Sequence, residues 1–64
     1  MNLTKRENEV VGLIERGMRN KQIGTAMGIR PGTVKIHLKN IFVKTGHTNR
    51  YELALAGLRE KGIV

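Results

Sequence analysis

Apolar positions recur along the chain at helical spacing and nowhere alternate strictly with polar ones, so the pattern predicts helices and no sheet. The first pattern opens at Thr4-Lys5-Arg6-Glu7, a T-x-x-E capping box, and carries Val10, Leu13 and Ile14 on one face with Val11 at its edge. Gly17 supplies a left-handed stop, which sets the helix at about residues 5–16. Asn20 is a good cap for a short second helix over about 21–27, with Ile23, Ala26 and Met27 on its apolar side and Gly28 closing it. Pro31 suits the first position of a third helix, because its missing N–H costs nothing there and its φ is already helical. That helix runs to about Thr45, before Gly46. Asn49-Arg50-Tyr51-Glu52 then caps a fourth over about 50–61, stopped by Gly62.

On the third helix, a rotation of about 100° per residue gathers Val34, Leu38, Ile41 and Thr45 on one stripe, with Phe42 beside it. Lys35, Ile36, Lys39, Asn40 and Val43 fall on the opposite side. His37 falls at the border and reads as a packed or phosphate-near neutral imidazole; nothing is read from His47. On the fourth helix Leu53, Ala54 and Gly57 form a core-facing set, while Tyr51, Leu55 and Leu58 widen the apolar arc. One core needs little more than a 100° stripe. The second set is therefore expected to be partly exposed and to serve a two-fold contact between copies, or else to pack against the first helix or beneath Ile63 and Val64.

Length and composition narrow the chemistry. Sixty-four residues make one small domain, 1–64, with a single core and no apolar surface to spare for a deep substrate pocket. With no cysteine and two histidines, disulfides, a thiolate nucleophile and the usual zinc modules are excluded, and neither a cofactor nor catalysis is expected. No run approaches a membrane span and the start lacks a signal-peptide core, so the expected location is the cytoplasm. The chain begins almost on the Thr4 cap, which fits an excised domain or a small autonomous one equally. No Asp is present to accept a phosphoryl group.

The charge is the positive clue. Twelve Lys and Arg against five Glu give +7. From Arg16 to Arg50 the chain carries Arg16, Arg19, Lys21, Arg30, Lys35, Lys39, Lys44 and Arg50 and not one acid. Such segregation marks a surface for a polyanion. A short helix, a tight glycine-bearing turn and a longer basic helix form the helix-turn-helix arrangement, with small Gly24 where the two helices cross. The outer face of the third helix suits a major groove. Lys35 and Lys39 can donate to guanine or phosphate, Asn40 can pair with adenine, and Ile36 can pack on a thymine methyl. Phe42 and Tyr51 are the only aromatic residues, too few for the stacking platform that single strands require.

The blocks Leu3-Thr4-Lys5-Arg6-Glu7-Asn8-Glu9-Val10, Gly17, Asn20-Lys21-Gln22-Ile23, Met27-Gly28-Ile29, Thr33-Val34-Lys35-Ile36-His37-Leu38 and Asn40-Ile41-Phe42-Val43-Lys44-Thr45-Gly46, continued by Asn49-Arg50-Tyr51-Glu52, resemble the LuxR/GerE-type helix-turn-helix domain over about residues 3–57. The resemblance implies an all-α, four-helix domain with a tri-helical core and a C-terminal dimerisation helix, acting in bacterial transcription regulators that include NarL-type response regulators. It implies that Lys35, Ile36 and Lys39 face bases, that Asn20, Lys21, Thr33 and Lys44 lie near phosphates, and that the helix over 50–61 carries the dimer contact. Double-stranded DNA, a second copy bound on DNA and RNA polymerase are the implied partners. Arg19 and Arg30 stand where the family commonly has small hydroxyl residues, Gly24 where alanine is usual and His47 where an aliphatic is usual. Arg30 cannot cap as serine would and is read as a further phosphate contact. Two other readings stay open: a sigma-factor-like helix-turn-helix, which would normally end soon after the recognition helix, and a cationic membrane-surface binder.

Overall fold

The computed structural model describes residues 2–64 and contains four helices in the order α1 (Lys5–Glu15), α2 (Asn20–Met27), α3 (Pro31–Thr45) and α4 (Arg50–Glu60). No strand occurs among the described residues. The architecture is all-α, as the apolar spacing predicts. α1 starts on the complete capping box: Glu7 N–H donates to Thr4 Oγ1 at 3.1 Å, and Thr4 N–H donates to Glu7 Oε1 at 2.8 Å. At its other end the Met18 N–H reaches the Leu13 carbonyl at 3.1 Å, which closes the last turn one residue short of the expected end and leaves Arg16 as the C-cap.

α2 also begins one residue away from the expected position. Arg19, not Asn20, takes the extended cap conformation, and its N–H donates to Gln22 Oε1 at 2.8 Å. The glutamine three residues on satisfies that donor, so Asn20 joins the helix and its side chain is released for another partner. The α2–α3 turn depends on two glycines. Gly28 has φ +69°, where a Cβ is strained, and this lets the Ile29 N–H return to the Gly24 carbonyl at 2.9 Å. A Cβ on Gly24 would lie 2.6 Å from the Ile29 carbonyl oxygen, so the turn folds back onto α2 at the spot without a side chain. α4 starts on Asn49, whose Oδ1 accepts the Glu52 N–H at 2.9 Å, and ends at Glu60 with Lys61 as its cap.

α1 packs against all three other helices, α4 lies along it, and α2 pairs with α3. The buried core takes Val10, Val11 and Ile14 from α1, Ile23 from α2, Val34, Leu38 and Ile41 from α3, and Leu53 from α4. Leu3, Leu13, Met18, Met27, Ile29, Phe42 and Ala54 seal its edges. Removing such side chains from water contributes roughly 1.5–3 kcal/mol each, the principal force holding the four helices together. All of α3's core contacts come from one stripe, which leaves the opposite side free for other work.

Candidate nucleic-acid interface

α3 is two-sided. Val34, Leu38 and Ile41 are buried, whereas Lys35, Ile36, Lys39, Asn40 and Val43 all face solvent. Ile36 is 61% exposed and Val43 78%, so the outward side of α3 carries two aliphatic side chains among its polar ones. The start of this helix is formed without side-chain help. Arg30 is extended (φ −77°, ψ 152°), its carbonyl accepts from Thr33 N–H at 3.0 Å and Val34 N–H at 3.2 Å, and its side chain makes no cap bond. Pro31 at the first position compensates by presetting φ, and the Arg30 side chain stays exposed.

Positive charge gathers on α2 and α3. Neither α2 nor α3 has an acid in its first turn, so the positive ends of both helix dipoles are uncompensated. Among the described residues Glu9 pairs with Arg6, Glu7 with Lys44, Glu15 with Lys61, and Glu52 approaches His47 Nδ1 at 3.7 Å. Arg19, Lys21, Arg30, Lys35 and Lys39 are exposed and take part in none of these pairs. These exposed cations and the uncompensated helix starts concentrate positive charge on α2 and α3.

Two of the residues expected near phosphates are held by groups the sequence does not point to. Lys44 Nζ donates to Glu7 Oε1 at 2.7 Å, joining the end of α3 to the start of α1. The Lys44 ammonium, with the Thr4 N–H behind it, holds the Glu7 carboxyl below the usual carboxylate range, against the opposing effect of burial. Asn20 Oδ1 accepts from Arg50 Nη1 at 2.8 Å, while Arg50 Nη2 donates to the Met18 carbonyl at 2.9 Å. The capping box identifies Glu7 only as a local residue, and nothing in the spacing signals a bond from Arg50 to a residue thirty positions earlier. Thr33 lies half-buried in the first turn of α3, beside Arg30, and His37 is half-buried at the border.

On α4, Leu53 and Gly57 face inward, Leu58 is half-buried, Leu55 is 39% exposed and Tyr51 is 81% exposed. In the tail, Ile63 N–H bonds the Leu58 carbonyl at 3.0 Å, and the Ile63 and Val64 side chains stay exposed. Tyr51 and Leu55, the outer members of the expected pairing patch, are therefore open to solvent. No helix among the described residues is long and apolar enough to cross a membrane.

A short helix locked by a glycine turn to a longer helix, whose outward side is basic and apolar, defines a helix-turn-helix DNA-binding domain. The family of bacterial regulatory proteins described as the luxR family (GerE) matches residues 1–56, and the chain belongs to that family of transcription regulators. It is 49% identical over 51 residues to the monoamine regulon transcriptional regulator of Klebsiella aerogenes, an alignment covering 80% of this chain and 22% of that protein. To the transcriptional regulatory protein UhpA of Escherichia coli it is 42% identical over 52 residues, 81% of this chain and 26% of that one. To the nitrate/nitrite response regulator protein NarP of Escherichia coli it is 33% identical over 60 residues, 94% of this chain and 28% of that one. The chain thus spans about a quarter of the length of these relatives.

Proposed function

We propose that the domain reads double-stranded DNA by inserting α3 into the major groove, as the DNA-binding part of a cytoplasmic bacterial transcription regulator. Lys35, Ile36, Lys39 and Asn40 face base edges, while Asn20, Lys21, Arg30, Thr33 and Lys44 meet the flanking phosphates. Lys44 keeps donors to spare: its side chain is 41% exposed, and the bond to Glu7 uses one of three N–H groups. Tyr51, Leu55 and Leu58 form the contact between two copies bound to adjacent half-sites. RNA polymerase is the protein partner through which such a regulator acts. The observation that carries this reading is the outer side of α3, where two lysines and an amide surround an exposed isoleucine opposite the buried Val34, Leu38 and Ile41. A membrane binder needs a broad apolar face beside the cations, and α3's outer side has only Ile36 and Val43. A sigma-factor-like module is disfavoured by α4, which supplies Leu53 to the core.

Selection of duplexes from a random library, followed by affinity measurements on the preferred site and an unrelated duplex, tests the assignment. Lys39→Ala should cost about 1–3 kcal/mol at the preferred site and relax one base position, whereas Lys21→Ala should weaken both duplexes alike. With about four to six phosphates neutralised per copy, log K should fall against log salt with a slope of about −4 to −5. Equal loss of preferred and unrelated binding in both variants, or affinity independent of salt, rejects α3 as the reading helix.

A further inference from the structure

We propose that Arg50 is a positioning residue for the phosphate contact of Asn20, setting which end of its amide faces the DNA; this rests on the DNA reading above. Arg50 is the first residue of α4, and its half-buried guanidinium bonds Asn20 Oδ1 at 2.8 Å and the Met18 carbonyl at 2.9 Å. A guanidinium only donates, so it takes the oxygen of the amide and leaves the NH2 on the other side. That NH2 has no partner among the described residues, and Asn20 is the first residue of α2, partly open to solvent. The group presented at the positive start of α2, beside Lys21, is therefore a pair of N–H donors.

Without Arg50 the amide is free to turn, because the terminal torsion of asparagine is broad and roughly two-fold. Half of its orientations then point an oxygen at the phosphate, where it repels. The clamp removes those orientations before DNA arrives. Met18 matters as the second prong: holding one acceptor in the α1–α2 connection and another at the start of α2 fixes the plane of the guanidinium, and with it the direction of the Asn20 bond. The arginine contributes through the amide and need not touch a phosphate itself.

A double-mutant cycle on duplex affinity tests this, using the library-selected site and an unrelated duplex, each measured well below the unfolding temperature of every variant. Asn20→Ala should weaken both duplexes by the same factor, about fivefold or more. Arg50→Met removes a cation as well as the clamp, but the cation's long-range effect is the same in both backgrounds and cancels in the cycle. The loss caused by Arg50→Met should be at least about threefold larger with Asn20 present than with Asn20→Ala. If Arg50→Met does not fold, Arg50→Lys carries the same cycle, since an ammonium keeps the charge without the two-pronged plane. Equal losses in both backgrounds overturn the proposal, and so does an Asn20→Ala variant that binds like the parent. A proposal failing in this way leaves the groove reading standing if Lys39→Ala still relaxes one base position; if that response is absent too, the DNA reading itself has failed.

Discussion

Gly24 and Gly57 are both buried inside helices, yet a methyl group at each would meet a different kind of neighbour. At Gly24 it meets backbone: the Ile29 carbonyl oxygen at 2.6 Å, with Arg30 C and Pro31 N at 3.4 Å. The turn would have to open, so Gly24→Ala should destabilise by about 1–3 kcal/mol. At Gly57 the methyl meets the far end of the Glu15 side chain, whose Oε2 is buried without a hydrogen-bond partner. That carboxylate's other oxygen is held by Lys61, whose exposed side chain can follow it outward, and alanine gains about 0.5–1 kcal/mol in a helix interior. Gly57→Ala should therefore be neutral to stabilising, and urea midpoints of the two variants should move in opposite directions. Glu7 gives a pH signature at the same scale. Its carboxyl titrates lower in the folded domain than in the unfolded chain, so its contribution is complete above the ordinary Glu range and is lost as pH falls through the lowered value. Glu7→Gln keeps a capping-box side chain but not the charge. The thermal midpoint of the parent should drop more steeply than that of Glu7→Gln as pH falls from about 6 to about 3.

At the scale of the element, α3 shows what a linear pattern can and cannot reveal. Its buried stripe and exposed side were legible because both follow from rotation per residue alone, and Val34, Leu38 and Ile41 lie where that rotation puts them. The start of α2 was legible only to within a residue. Asn20 is the better cap by side-chain chemistry, but Gln22 satisfies the Arg19 N–H and Arg50 takes the asparagine, and the second of these bonds depends on tertiary packing. The Glu7–Lys44 pair was hidden for the same reason, since it joins residues 37 positions apart. Arg30 offers a test of how α3 begins. Its side chain caps nothing, so Arg30→Ser should raise unfolding stability by about 0.5–2 kcal/mol by supplying the missing acceptor. The same change should weaken binding to every duplex alike, because it removes an exposed cation at the start of α3. A variant that gains no stability would show that Pro31 and the Arg30 carbonyl already satisfy that turn.

For the molecule as a whole, the question is which surfaces remain for other chains once α1 has organised the rest. The open side of α4 is one of them. Leu55→Glu should leave folding and single half-site binding intact while abolishing cooperative occupancy of a double site, read from titrations on one-site and two-site duplexes. Unfolding of the variant would instead assign Leu55 to the core. The two sides of α3 carry a different consequence. No side chain of the proposed reading group Lys35, Ile36, Lys39 and Asn40 belongs to the core cluster, and no core side chain of α3 reaches the outer face. On the proposed DNA reading, folding and recognition draw on separate letters of the same fifteen-residue helix. Divergent copies of such a domain can exchange those four letters and acquire new operators while the scaffold stays unchanged, so recognition can drift without passing through an unfolded ancestor.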